Sequence, residues 1–170
     1  MAVKLIGAVF VVLGCGGFGL ILSNAVKRET TCLREFISSL EFMECELVYR
    51  MTSLPHLCQT IAPMLAGPIR DFFICLAEEL EQQTASSVQL CVTHALERCK
   101  DIPLGVRQRI EILGNSLGSF DLDGQIKCIR AMNDENMRIY EKMSLNQSGQ
   151  LRCYKTLAIC AGAALAILFI

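Results

Sequence analysis

Tryptophan is absent from the 170 residues, histidine occurs only at His56 and His94, and proline only at Pro55, Pro63, Pro68 and Pro103. No phosphate-cradling Gly-rich turn follows a strand, no Cys-x-x-Cys occurs, and no stretch alternates apolar and polar residues as a half-buried strand does. These gaps exclude phosphate loops, paired-cysteine metal ribbons and sheet-based folds. They also leave no nucleophile–base pair or four-ligand metal set to assemble. Charge is missing as well, from both ends. Leu5–Ser23 and Thr156–Ile170 contain no Asp, Glu, Lys or Arg, and every charged side chain except Lys4 lies between them.

Uncharged ends around a polar middle predict a chain held at a bilayer by both ends. The expected division is a transmembrane helix over 1–26, a cytoplasmic helical domain over 27–155 and a second transmembrane helix over 156–170. The first apolar run has 19 residues, about 28 Å as helix, which matches the hydrocarbon thickness. The second has 15, about 22 Å, short for a crossing without tilt, bilayer thinning or snorkelling of Arg152 and Lys155. A cleaved signal peptide fits less well, because the first run exceeds the usual length and no small-x-small cleavage box follows it. Lys27, Arg28 and Arg34 follow the first run, and Arg138, Lys142, Arg152 and Lys155 precede the second. Positive-inside bias therefore places the middle in the cytoplasm. That middle carries 15 basic and 17 acidic residues, a net of −2, which offers no electrostatic footprint for nucleic acid. Small residues at four-residue spacing, Cys15 with Gly19 and Ala158, Gly162 and Ala166 in series, give the two spans surfaces for each other or for neighbouring membrane subunits.

The ten cysteines resemble a disulfide set in number only. They are scattered singly, and most fall on apolar helix stripes, where a free thiol behaves as a small hydrophobe. A cytoplasmic middle keeps them reduced.

The middle reads as helix throughout. Leu33, Phe36, Ile37, Leu40, Met43, Leu47, Val48 and Met51 form one 3.6-period stripe. Thr52-Ser53-Leu54-Pro55 ends that helix and starts a second through Leu57, Cys58, Ile61 and Leu65, with Pro63 as a bend and Gly67-Pro68 as its stop. A third runs from Ile69 to Gln83, with Phe72, Phe73, Leu76 and Leu80 on one face. Thr84-Ala85-Ser86-Ser87 caps a fourth, with Val88, Cys91, Val92, Ala95 and Cys99 inward. Asp101-Ile102-Pro103 opens a fifth through Val106, Ile110, Leu113 and Leu117, closed by Gly118. Asp121 caps a last helix that runs from Leu122 without proline. The expected fold is all-α, a six-helix antiparallel bundle, because both ends must return to one membrane face.

Three constellations invite a chemical reading. Cys91, His94 and Cys99 resemble metal ligands, but 99 is poorly placed on the helix and no fourth ligand is apparent. Glu41, Glu44 and Glu46 resemble acid–base machinery, yet Glu44 and Glu46 stand about 200° apart around the helix. A solvated face or an ion pair to a neighbouring helix accounts for them better. Asn133, Asn136 and Gln147 fall near the apolar stripe of Ile126, Ile129, Tyr140 and Met143. They either bond across the bundle or mark a surface awaiting another subunit.

Two motifs carry a family resemblance. One is Leu40 followed by Met43-Glu44-Cys45-Glu46-Leu47-Val48-Tyr49 and Thr52-Ser53-Leu54-Pro55; the other is Gly114-x-x-Leu117-Gly118-x-x-Asp121-x-x-x-Gln125. With them the chain resembles the stage III sporulation protein AB family of endospore-forming bacteria over essentially its full length. Ser53 departs from the family's more frequent proline. In structural terms Tyr49 and Thr52 would shape the first corner, Gly118 and Asp121 a helix stop and cap, and Gly114 a close helix contact.

The resemblance implies a soluble domain like that of type II secretion system F proteins. It also implies a non-enzymatic, cofactor-free membrane subunit of the complex linking mother cell and forespore, seated in the mother-cell (outer forespore) membrane and needed for late forespore gene expression. The implied partners are the companion stage III sporulation AA ATPase, other membrane proteins of the same operon, and membrane lipid. Expected docking positions are Glu44, Glu46, Tyr49, Gly118, Asp121 and Gln125. The competing reading is a membrane-tethered sensor holding a small ligand between its helices, lined by Asn133, Asn136 and Tyr140. Reporter fusions test the topology: one near Ala85 is expected to report cytoplasm and one at Ile170 the opposite side. A cytoplasmic Ile170 overturns the two-span reading.

Overall fold

The computed structural model describes residues 24–50, 52–82, 86–117 and 123–145 in full, and residues 2–23 as helical backbone. Six α-helices appear there: α1 (Ala2–Arg50), α2 (Leu54–Ile61), α3 (Gly67–Glu81), α4 (Val88–Arg98), α5 (Leu104–Ser116) and α6 (residues 123–145). No strand occurs among the described residues. The chain divides into two compact units, one of Glu29–Tyr140 and one of Met1–Arg28 with Glu141–Ile170. No helix among the described residues is long and apolar enough to cross a membrane. The expected spans fall on 1–26 and 156–170; the side chains of 1–23 and all of 156–170 lie outside the described residues.

Within Glu29–Tyr140 the helical periodicities resolve into buried seams. On α1, Leu33, Phe36, Leu40, Met43 and Leu47 are all buried, at alternating spacings of three and four that keep one stripe facing inward. Val48, expected on that stripe, stands 40% exposed. Val48 follows Leu47 by one residue, a rotation of about 100° that carries it off the seam. Ser39 is buried beside this stripe, and its Oγ donates to the Phe36 carbonyl at 2.6 Å, so the hydroxyl needs no outside partner.

Successive helices pack on one another, α2 on α3, α3 on α4 and α4 on α5, as short connections favour. The second helix ends earlier than the sequence suggests. Its α-helical part stops at Ile61, and Pro63 lies in a 3-10 turn over Ala62–Met64, since proline removes a donor and crowds the preceding turn. Gly67, with φ +60, opens α3. Ser53 occupies the N-cap of α2 without a side-chain bond, whereas Ser87 Oγ accepts from Leu90 N at 3.3 Å and caps α4 as expected.

Two helix ends are completed by groups from elsewhere in the chain. Ala66, at the N-cap of α3, has no capping side chain; its N–H donates to Glu35 Oε2 on α1 at 3.1 Å. A carboxylate there also meets the positive end of the helix dipole. At the other end of α4, Arg107 Nη2 on α5 donates to the carbonyls of Leu96 (2.8 Å) and Cys99 (3.2 Å), acceptors that the helix itself leaves open.

Gly114 lets α5 approach α4 closely, as its mid-helix position suggested. A Cβ built there would lie 2.9 Å from Val92 Cγ1 and 3.0 Å from Val92 Cβ, and Val92 is stiff at χ1. Alanine would gain about 1 kcal/mol in helix propensity but lose about 1–3 kcal/mol to overpacking. Gly114→Ala is therefore expected to destabilise the protein by about 1 kcal/mol, and to cost less in a Val92→Ala background, where the two Cγ contacts are gone and the Cβ contact at 3.0 Å remains, so that the sign of the coupling is what the cycle reads. Denaturant unfolding of the four proteins in the cycle measures it.

Candidate functional site

Burying one seam of α1 determines what its opposite side offers. Phe42, Cys45, Val48 and Tyr49 recur at helical spacing on that side, with Phe42 38% and Tyr49 81% exposed. Glu41 is exposed beside them. The face is apolar and aromatic at its centre and acidic at its edge, a composition that suits contact with another macromolecule.

The acidic residues of the first motif divide between structure and surface. Arg130 Nε on α6 donates to Glu44 Oε1 at 2.5 Å, so Glu44 ties α1 to α6. Glu46 accepts from Thr52 Oγ1 at 3.3 Å and pairs with Arg50 at 3.4 Å, which holds the corner after α1. Thr52 thus shapes that corner, while Tyr49 projects outward instead of shaping it. In the second motif, Gln125 is half-buried and engaged in polar contact. Gly118 and Asp121 lie outside the described residues, as do Ala158, Gly162 and Ala166. Cys15 and Gly19 lie on the α1 backbone, their side chains outside the description.

Cys91, His94 and Cys99 do not converge on a common point. Cys91 Sγ lies 3.9 Å from the Glu79 carbonyl, His94 Nδ1 lies 3.7 Å from Glu79 Oε2, and Cys99 Sγ lies 3.9 Å from Cys75 Sγ. Among the described residues no cluster of three or more His, Cys, Asp or Glu side chains could hold a metal ion. Cys58 behaves as the packing residue expected: burial pushes its thiol up to about 12, leaving it protonated and unreactive. Hydrogen bonding to Glu78 raises the Arg98 pKa, and Arg98 reaches both Glu78 (2.9 Å) and Glu79 (3.4 Å), joining α4 to α3 at the surface.

The asparagines on α6 bond across the bundle at one point. Arg109 Nη1 on α5 donates to Asn136 Oδ1 at 2.7 Å, and Asn136 is 1% exposed. Asn133 Oδ1 and Asn136 Nδ2 are buried without a partner among the described residues. The ligand cavity of the sensor reading was expected beside them. A groove of about 230 Å3, open to solvent, lies between α2 and α3, lined by Gln59, Pro63, Arg70, Ile74 and Glu81 among others.

Sequence reasoning missed Phe42 and Cys45 as parts of the exposed face. Their signal was present, since Phe42, Cys45 and Tyr49 recur at steps of three and four residues on the side of the helical wheel away from Leu33, Leu40 and Leu47. It missed Glu35, Arg107, Arg109 and Arg130 because their partners lie on other helices, at sequence distances that local periodicity does not reach.

The geometry defines an all-α protein with an exposed aromatic face on its first helix. A family model described as stage III sporulation protein AB matches residues 4–170, and the chain belongs to that family. Stage III sporulation protein AB of Bacillus subtilis (strain 168) is 27% identical over 130 residues, 75% of each chain. A solved structure of stage III sporulation protein AB shares the fold, with a TM-score of 0.63 at 21% identity over 72% of this chain and 98% of that one.

The Glu44–Arg130 pair is partly solvated, with side-chain exposures of 26% and 58%. A Glu44→Gln, Arg130→Ala double-mutant cycle is expected to give a coupling below about 1 kcal/mol, diminished by salt. A coupling several times larger would make the pair a principal support of α6.

Proposed function

We propose that this protein is a non-enzymatic membrane platform subunit of the sporulation assembly that joins mother cell and forespore, and that it docks a secretion-type ATPase. Family membership supports a role in sporulation. The all-α body supports a comparison with the F-domain of type II secretion platform proteins. The two uncharged sequence runs support attachment to the mother-cell (outer forespore) membrane, with the body on the cytoplasmic side, where the stage III sporulation AA ATPase would be met. Lipid and the other membrane proteins of the operon complete the partner set. The work is mechanical and positional, in support of late forespore gene expression.

The observation that carries this reading is the outward face of α1. A tyrosine 81% exposed and a phenylalanine 38% exposed on one short helical stretch are side chains of the kind that dominate binding energy once desolvated. Glu41 at the edge would steer a basic partner surface. Because Glu44 and Glu46 already have partners on the body, the docking contribution falls to Phe42, Tyr49 and Glu41, with Gln125 as the described part of the second expected patch.

Co-purification from detergent extracts tests the reading. The full-length protein is expected to retain the AA ATPase, and Phe42→Ala with Tyr49→Ala to weaken binding by at least about tenfold. The same variant should unfold within about 1 kcal/mol of wild type, because neither side chain is in the core. A wild-type protein that ignores the ATPase at micromolar concentration overturns the proposal. Undiminished binding by the double variant moves the docking surface elsewhere.

A further inference from the structure

Two thiols from different helices meet at the junction of α3 and α4. Cys75 lies on α3 and is half-buried; Cys99 follows the last turn of α4 and is 9% exposed. Their Sγ atoms are 3.9 Å apart. Polar contacts on both sides hold this arrangement. Arg98, one residue before Cys99, reaches Glu78 and Glu79 on α3, and Arg107 on α5 grips the Cys99 carbonyl at 3.2 Å. The Cys99 backbone has left the helix, with φ −99 and ψ 73, so its side chain is not confined to helical rotamers.

We propose that Cys75 and Cys99 are a thiol-modification site, which a low-molecular-weight disulfide oxidises to an intrachain bridge joining α3 to the end of α4. A disulfide needs its sulfurs at about 2.05 Å. Starting from 3.9 Å, each sulfur has to travel roughly 1 Å, a displacement that χ1 rotation supplies. The more accessible Cys75 loses its proton to solvent and attacks one sulfur of the oxidant, expelling the first small thiolate and forming a mixed disulfide. Cys99, deprotonated in turn, attacks Cys75 Sγ and expels the second. Two cysteine thiols are oxidised, one small disulfide is reduced to two small thiols, and the released protons balance the charge.

The surroundings impose this order. Burial first, and then the charge and hydrogen bond of Cys75, push the Cys99 thiol up to about 12, with Asp71 adding to the rise and Arg98 opposing it. Cys75, the more accessible of the two, is therefore the thiol that the oxidant meets first. Once Cys75 carries the mixed disulfide, its sulfur is an electrophile 3.9 Å from Cys99 Sγ, close enough for Cys99 to resolve it. The site stays silent under reducing conditions and closes only after Cys75 has been attacked from solution.

The test uses the full-length chain in detergent micelles with oxidised glutathione as the probe. Free thiols are trapped by alkylation, and non-reduced peptides are mapped by mass spectrometry. The expected result is a peptide joining Cys75 to Cys99 as the main intrachain cross-link. It should come with a Tm about 5–15 °C higher, both reversed by dithiothreitol. Buried Cys58 should remain alkylatable after unfolding, as an internal control. The proposal is overturned if other pairs dominate the cross-links, if Cys75 stops at the mixed disulfide, or if both thiols stay free once exposed Cys45 is fully modified. Cys75→Ser should remove the bridge and the Tm rise together; should that variant not fold, the wild-type peptide map decides alone.

Discussion

The organisation of the body rests on one constraint, the burial of a narrow stripe on α1. Leu33, Phe36, Leu40, Met43 and Leu47 alternate by three and four residues, and such spacing leaves a helix one face to hide. Each fully buried side chain of this kind contributes about 1.5–3 kcal/mol relative to exposure. The rotation of α1 about its own axis is therefore strongly determined. With that rotation set, Phe42, Cys45, Val48 and Tyr49 have nowhere to go but outward. The exposed aromatic face is thus a consequence of the core.

Around this seam, charged side chains work mainly as connectors between helices. Glu35 completes the start of α3, Arg107 completes the end of α4, Glu44 meets Arg130 on α6, and Arg98 joins α4 to α3. Most of these pairs are partly exposed, where each adds little to stability. Their value is orientational. A helix end that finds its missing acceptor or donor on a neighbouring helix is set in rotation and depth as well as satisfied. Gly114 works in the same direction by omission, since the missing Cβ admits Val92 and brings α5 against α4.

The cysteines show how one residue type serves different ends in one fold. Cys32, Cys58 and Cys91 are buried and act as small hydrophobes. Cys45 sits on the exposed face, where its modest size leaves the neighbouring aromatics accessible. Cys75 and Cys99 occupy a helix junction in mutual contact, an arrangement with chemical consequences that neither would have alone.

Much of the fold was legible in the chain because helix formation and burial are written locally. Apolar side chains at 3.6-residue intervals announce both the helix and its inward side, and Val106, Ile110, Leu113 and Leu117 of the α5 stripe are all buried as their spacing requires. The proline and glycine punctuation announced the corners, although Pro63 ended α2 sooner than Gly67-Pro68 suggested. Of the expected positions around Glu44–Tyr49 the structure leaves Tyr49 exposed and engages Glu44 and Glu46 with other side chains. Pairing to Arg130 withdraws Glu44, the corner at Thr52 withdraws Glu46, and neither partner is visible to a local pattern.

By itself, then, the amino-acid order settled the helical class, the inward stripes and the uncharged ends, since periodicity and the absence of charge depend on neighbours a few residues away. The tertiary structure alone decided that Arg130 meets Glu44, that Glu35 and Arg107 finish other helices, and that Cys75 touches Cys99. Each of those outcomes requires two distant segments to meet at a particular rotation, and that rotation is set by packing of the whole body.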